Sequence, residues 1–129
     1  MGEAGGLEQG ELTGRIIGAA IEVHRELGPG YIESVYEKAL RIELGQRGID
    51  YSAQLHVPVV YKGVEIHRHR LDLFVANEVV VELKVVRELS AEHFAVVRSY
   101  IRATGHQHGL LLNFAKPTLE VKRVFASRR

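Results

Sequence analysis

The sequence predicts an α+β fold in which a mixed β-sheet is flanked by helices, with the element order ααβββαββ. Two early segments repeat apolar residues at helical spacing, and the three segments after them are rich in β-branched residues. A third helical segment then separates two strongly apolar strands, and it is long enough to serve as a crossover between parallel strands. The 129-residue chain suits one domain, which we place at residues 12–126.

Three helices are expected, and each ends at a glycine. The predicted ranges are 12–27, 32–47 and 90–104. Thr13 and Ser90 are the expected N-caps of the first and third helices, because a side-chain oxygen can accept an otherwise unpaired backbone N–H there. Gly28 and Gly105 end the same two helices. Glu33 lies in the first turn of the second helix, where the helix dipole favours an acid.

Five strands are expected, and two of them are almost wholly apolar. The predicted ranges are 51–61, 64–75, 79–86, 109–114 and 118–125. The third and fourth strands have the composition of central strands that are covered on both faces. Pro58 lacks a backbone donor, so the first strand is expected at an edge of the sheet or to contain a bulge. A short loop at 76–78 joins the second and third strands into a hairpin.

Composition limits the class of protein. The chain has no cysteine, which excludes disulfides, thiolate zinc sites and cysteine nucleophiles and fits a cytoplasmic protein. The formal net charge of +1 is nearly balanced, so any binding of nucleic acid depends on a local basic patch. No apolar run is long enough to span a membrane, and we expect no membrane partner. Residues 1–11 are predicted to be a disordered segment, and residues 127–129 a basic tail.

Three charged residues interrupt the apolar runs of the central hairpin, namely Asp72, Glu82 and Lys84. Glu82 and Lys84 are two residues apart on one strand and therefore share a face. Two carboxylates that converge there make an oxygen site suited to Mg²⁺ or Mn²⁺, and the Leu83 carbonyl can add a ligand. A solvated face on an edge strand explains the same pattern. The short motif alone does not decide between these two interpretations.

Several segments resemble the GxxExxY protein family, whose signature is reproduced by Gly30, Glu33 and Tyr36. The similar segments are 17–24, 30–36, 82–84, 100–105 and 109–114. That family belongs to the PD-(D/E)xK nuclease-like superfamily and is closest to RecB-type nuclease domains. The resemblance implies a restriction-endonuclease-like sheet and a Mg²⁺- or Mn²⁺-dependent nuclease.

The resemblance also implies roles for individual residues. Glu33, Asp72 and Glu82 match the metal-binding acids of the family, and Lys84 matches the catalytic lysine of its E-x-K pair. In such a site the metal polarises a phosphoryl oxygen and lowers the pKa of bound water. Lys84 then orients or deprotonates that water, or stabilises the charge that develops on the phosphate.

The chain departs from the RecB-like pattern on the third helix. Those proteins carry a Q-x-x-x-Y motif, in which Tyr100 matches the tyrosine but Val96 occupies the glutamine position. Valine has no polar group that can contact a phosphate. His93 and Arg98 lie close enough in sequence to take over that role. The residues expected to contact nucleic acid are therefore Arg68, Arg70, His93, Arg98 and Tyr100.

Two functions from different classes remain open at this stage. The first is a nuclease that acts on DNA, with RNA as the less favoured substrate. The second is a weak or inactive nuclease-fold module that works by binding a partner protein or nucleic acid, as the missing glutamine and the small net charge favour. A homodimer is a further hypothesis, because a small domain that reaches both strands of a duplex often pairs, but the sequence contains no interface signature.

Overall fold

The structure, a computed structural model, describes residues 9–127. Its helices are α1 (Gln9–Leu27), α2 (Glu33–Gln46) and α3 (Ala91–Thr104). Its strands are β1 (Tyr51–Tyr61), β2 (Val64–Val75), β3 (Val79–Lys84), β4 (His108–Asn113) and β5 (Glu120–Phe125). The predicted α+β class and the order ααβββαββ are confirmed. No helix in the described residues is long and apolar enough to cross a membrane.

All five strands form one mixed sheet in the order β1-β2-β3-β4-β5. Strands β3 and β4 pair in parallel, and the other neighbouring pairs are antiparallel. Helix α3 connects the parallel pair, so the predicted crossover is confirmed. Strand β1 lies at an edge, which accommodates Pro58 because its missing N–H removes no hydrogen bond from a second neighbour.

Two clusters of buried side chains cover the two faces of the sheet. One cluster joins the sheet to α1 and α2 and includes Ile16, Leu40 and Leu83. The other joins the opposite face to α3 and includes Ile101 and Leu111. The central strand β3 contributes to both clusters, as the predicted covering of both its faces requires.

Helix α1 begins earlier than the sequence predicted. It starts at Gln9, so Thr13 lies inside the helix and is not its N-cap. The Thr13 hydroxyl donates to the Gly10 carbonyl and accepts from Nη1 of Arg123 on β5. The Thr13 side chain therefore joins α1 to the sheet instead of capping the helix. Residues 9–11 are helical, which contradicts the predicted disorder for that part of 1–11; the remainder lies outside the described residues.

The turn between α1 and α2 is fixed by the hydroxyl of Tyr36. It donates to the Gly28 carbonyl at 2.6 Å and accepts from the Tyr31 N–H at 3.2 Å. The Tyr36 ring is fully buried and stacks on Phe114, with ring centroids 4.5 Å apart. The tyrosine of the motif at 30–36 therefore has a structural role, and it holds Glu33 as the first residue of α2.

We expect Tyr36→Phe to lower the free energy of unfolding by about 1–2 kcal/mol, because the turn loses one donor and one acceptor in a buried setting. Urea unfolding followed by circular dichroism measures the change. The exposed Tyr61 offers a matched control, and Tyr61→Phe should leave the midpoint unchanged. Equal midpoints for the two variants would show that the Tyr36 hydroxyl does not fix the turn.

Strand β3 ends at Lys84, two residues before the predicted end at Val86. The fully buried Asn113 binds Val86 through both backbone groups: its Oδ1 accepts from the Val86 N–H, and its Nδ2 donates to the Val86 carbonyl. These bonds take the chain away from the sheet after Lys84. The amide therefore fixes the exit of the chain from β3, next to the charged residues described below.

Candidate metal centre

The ladder between β2 and β3 is short, and two acidic residues lie where it ends. Its last pair on the side away from the hairpin loop is Leu73 with Val81, and the other pairs lie between this one and the loop. The next residues outward are Asp72 on β2 and Glu82 on β3. Their carboxylates bind the backbone across this junction: the Asp72 N–H donates to Glu82 Oε1 at 2.8 Å, and the Leu83 N–H donates to Asp72 Oδ2 at 3.0 Å.

These two bonds are reciprocal, and each carboxylate takes the place of a backbone acceptor where the ladder stops. They bring the predicted acids together as a close pair. Glu82 is 6% exposed, so the pair lies at the edge of the core and not on an open strand face. This burial excludes the alternative in which Glu82 belongs to a solvated face.

Glu33 and Lys84 are within electrostatic range of this pair. Repulsion from Asp72 is the second cause, after burial, of the raised pKa of Glu33. The Lys84 ammonium acts in the opposite direction on the pKa of all three carboxyls. Helix α2 thus places its first residue near the acids of the sheet, and one lysine offsets part of the combined negative charge.

Burial is the largest cause of the raised pKa of each of these three carboxyls, and repulsion from a neighbouring carboxylate adds to it. The pKa of Glu82 is raised to about 8, first by burial and then by the charge of Asp72. Burial also raises the pKa of Asp72, against the hydrogen bond from Leu83. Acids whose pKa is raised by burial and by neighbouring negative charge are stabilised when they bind either a proton or a cation.

A fourth acid, Glu37, was missed by the sequence analysis. It lies one helical turn after Glu33, is almost fully buried, and raises the pKa of Asp72 and Glu33 by repulsion. Nε2 of Gln54 donates to both Glu37 oxygens, at 2.8 and 2.9 Å. The i,i+4 spacing from Glu33 is the signal that could have identified Glu37.

Gln54 has an unusual backbone conformation beside Asp72. Its φ is +54°, in the left-handed region that a non-glycine residue seldom adopts. The β1–β2 register skips this position, since Ala53 pairs with Leu73 and Leu55 pairs with Leu71. The strand opposite Asp72 is therefore interrupted, and the hydrogen bonds to Glu37 hold the interruption in place. No signal in the sequence indicated this residue.

Helix α3 contributes Tyr100 to the same region. Repulsion from Glu82 and Asp72 adds to burial in raising the pKa of the Tyr100 hydroxyl, whereas Arg70 lowers it. Arg70 also lowers the pKa of Asp72. The Tyr100 ring lies 4.6 Å from the ring of His69, centroid to centroid. Two of the residues predicted to contact nucleic acid, Arg70 and Tyr100, are thus close to the acids.

A family model described as the PD-(D/E)XK nuclease superfamily matches residues 10–124. The chain belongs to this superfamily. The match covers every helix and strand that positions the acids, apart from the ends of α1 and β5. The resemblance to the GxxExxY family is compatible with it. No curated protein and no solved structure gave a match.

Members of the PD-(D/E)XK superfamily typically use divalent metals, which require oxygen ligands that are free to bind them. Asp72 and Glu82 each use one oxygen for a backbone N–H, and no described residue donates to the other oxygen of either carboxylate. Within 9–127, no three acidic or histidine side chains are arranged to hold a metal ion as they stand. Mg²⁺ is usually bound through one or two carboxylates and keeps several waters, so the Asp72–Glu82 pair fits this ion.

Two of the other predicted contacts, Arg68 and His93, already have partners within the chain. Arg68 forms an exposed ion pair with Glu65 through two hydrogen bonds. His93 Nδ1 accepts the Ser90 N–H, and together they form the capping box that begins α3. Among described residues Arg98 has no ion-pair partner. Val96, which occupies the position of the glutamine in the RecB-like pattern, is 44% exposed.

Proposed function

We propose that this chain is a Mg²⁺- or Mn²⁺-dependent nuclease that hydrolyses phosphodiester bonds in DNA. The observation that carries the proposal is the pair of reciprocal hydrogen bonds at the end of the β2–β3 ladder. They hold the buried carboxylate of Glu82 and the half-buried carboxylate of Asp72 at one junction, near a lysine, in a chain of the PD-(D/E)XK superfamily. Buried acids of raised pKa are typical of functional sites.

In this proposal Asp72 and Glu82 would hold the ion. Glu33, which is in electrostatic range of Asp72, would turn toward the ion as a third carboxylate, and the Leu83 carbonyl would be a further ligand. The bound ion supplies Lewis-acid activation of the phosphoryl oxygen and of a water. The hydrogen bonds from the backbone keep both strand carboxylates oriented, so that little rearrangement is needed when substrate arrives.

Lys84 acts on the attacking water or on the phosphate. Its ammonium lies on the same face of β3 as Glu82, two residues along the strand. It can orient the water, accept its proton in the neutral form, or stabilise the negative charge that develops on the phosphoryl oxygens. Arg70 and the Tyr100 hydroxyl lie near the acids and can bind the flanking phosphates.

A cleavage assay tests the proposal directly. Purified protein is incubated with supercoiled plasmid, single-stranded DNA, duplex DNA and single-stranded RNA, each with Mg²⁺, Mn²⁺ or EDTA. We expect DNA cleavage that requires the metal and that is absent in EDTA. Loss of cleavage in Asp72→Asn, which keeps an acceptor for the Leu83 N–H, excludes a contaminating nuclease.

Absence of cleavage on all four substrates with either metal would overturn the proposed activity. Titration calorimetry with Mn²⁺ then separates the two remaining cases. Binding of the ion without cleavage would indicate an intact centre that lacks catalysis. No binding by folded protein would favour a nuclease-fold module that acts by binding a partner, for which the exposed Val96 in place of glutamine is the supporting observation.

A further inference from the structure

A pocket of about 470 Å³ lies between β1 and α3, outside the metal centre. Residues 58–60 of β1 form one side, and Ser99, Arg102 and Ala103 of α3 form the other, with His69 of β2 between them. This volume is within the range of pockets that bind small organic ligands. The metal centre does not use the α3 and β1 residues that line it.

The lining of the pocket combines apolar walls with a cation. Pro58, Val59 and Ala103 present hydrocarbon surface, while Ser99 and His69 supply polar atoms. Arg102 is exposed and forms no ion pair with any residue of the described part of the chain. An apolar pocket beside a guanidinium that has no ion-pair partner is complementary to a ligand with two parts. One part is a flat ring system that packs on the apolar walls, and the other is an anionic group that binds the guanidinium.

Two aromatic rings, those of His69 and Tyr100, lie between the pocket and the metal centre. His69 lines the pocket, and its ring lies 4.6 Å from that of Tyr100. Tyr100 in turn is close enough to Glu82 and Asp72 for their charges to raise the pKa of its hydroxyl. A strand bound at the carboxylates would therefore pass over Tyr100 and His69 and reach the pocket with a neighbouring nucleotide.

We propose that this pocket is a subsite for one unpaired nucleotide of the substrate strand, with the base between β1 and α3 and a phosphate on Arg102. The inference rests on the proposed nuclease function and extends it to a substrate class. A base within a duplex is stacked and paired, so it enters a pocket only when it is extruded or already single-stranded. The substrate is accordingly unpaired next to the bond that is cut.

Binding is tested without metal, so that cleavage plays no part. Amide NMR spectra of the protein in EDTA are recorded with dAMP, with deoxyadenosine and with inorganic phosphate. We expect dAMP to shift the signals of Val59, Val60, Ser99 and Ala103, with a dissociation constant in the millimolar range. Deoxyadenosine should shift the same signals less, and phosphate alone should shift only signals near Arg102.

Three variants test which residues of the pocket contribute to binding. Ala103→Leu fills the pocket with a residue that favours helix, and Arg102→Ala removes the cation. Each should weaken binding of dAMP, and of a labelled single-stranded oligonucleotide, by about tenfold or more. Arg25→Ala removes an exposed arginine on α1, which packs on the other face of the sheet, and should change binding by less than about twofold.

The subsite is wrong if dAMP shifts no signal of the pocket, or if Ala103→Leu binds the oligonucleotide as tightly as the wild type. It is also wrong if inorganic phosphate reproduces all the shifts, because the base would then make no contact. These outcomes are independent of the proposed activity. A protein that cuts DNA but fails this test keeps its nuclease function and loses only the subsite.

Discussion

Lys84→Met is expected to lower the rate of metal-dependent cleavage by about a hundredfold or more, while leaving metal binding intact. Methionine keeps the length and the apolar stem of lysine but removes the ammonium. Loss of a group that moves a proton or stabilises developing charge typically costs two to four orders of magnitude. Single-turnover cleavage at saturating Mg²⁺ measures the effect on the chemical step.

The control for this variant is Lys38→Met, which removes an exposed lysine of α2. It should cut at the wild-type rate. Mn²⁺ titration calorimetry on Lys84→Met should give an affinity at least as high as that of the wild type, because a cation next to the acids is gone. Cleavage by Lys84→Met within about threefold of the wild-type rate would remove the lysine from the mechanism.

The second large effect concerns stability in the absence of metal. The pKa of Glu82 in the folded protein, about 8, lies above the ordinary carboxyl value of 4.5. Between these values the folded state binds a proton that the unfolded state has released. The free energy of unfolding therefore falls as pH rises from about 4.5 through 8. The contribution of the Glu82 carboxyl to the free energy of unfolding is fully present below pH 4.5 and is lost above pH 8.

Glu82→Gln removes this dependence and keeps an oxygen that accepts the Asp72 N–H. In EDTA at about pH 9 we expect the variant to be more stable than the wild type by about 2 kcal/mol, or roughly 7 °C in Tm. Below pH 4.5 the two should unfold together. Scanning calorimetry across this pH range measures the difference.

Added Mg²⁺ or Mn²⁺ provides an independent comparison for the same pair of proteins. A ligand that binds only the folded state raises its stability, so the metal should raise the Tm of the wild type at neutral pH. The increase should be much smaller for Glu82→Gln, which has one fewer anionic ligand. A wild-type Tm that does not vary with pH or metal would contradict the role given to Glu82.

The part of the site that lies on the hairpin could be predicted from the sequence because a short loop fixes the register. Once the loop at 76–78 closes the hairpin, counting inward pairs Leu73 with Val81, and Asp72 and Glu82 become neighbours. The alternation of side chains then places Lys84 on the face of Glu82. Hairpin register and side-chain alternation are therefore enough to predict that these three charged residues lie close together.

Glu33 could not be positioned by such rules. Its approach to the sheet depends on the turn before α2, which is held by the Tyr36 hydroxyl on Gly28 and by the stacking of Tyr36 on Phe114. The stacking on Phe114 joins residues that are far apart in the chain. The resemblance to a known family supplied Glu33 as a candidate, whereas spacing and periodicity did not.

The sequence analysis missed two residues that support the site, and only one of them carries a signal in the sequence. Glu37 carries a sequence signal, because it follows Glu33 by one helical turn on the same side of α2. Gln54 carries none, since a left-handed backbone at a residue other than glycine results from tertiary contacts. Its hydrogen bonds to Glu37 and the break in the ladder opposite Asp72 become apparent only in the folded chain.

The irregular strand β1 also affects how copies of the protein can associate. An exposed sheet edge of 11 residues normally invites a second strand and hence aggregation. Here Gln54 turns out of the extended conformation, Pro58 lacks a donor, and the register shifts between Val59 and Val60. These three interruptions leave no long run of evenly spaced backbone groups. A homodimer would therefore need a surface other than this edge, because the interruptions oppose edge-to-edge pairing through β1.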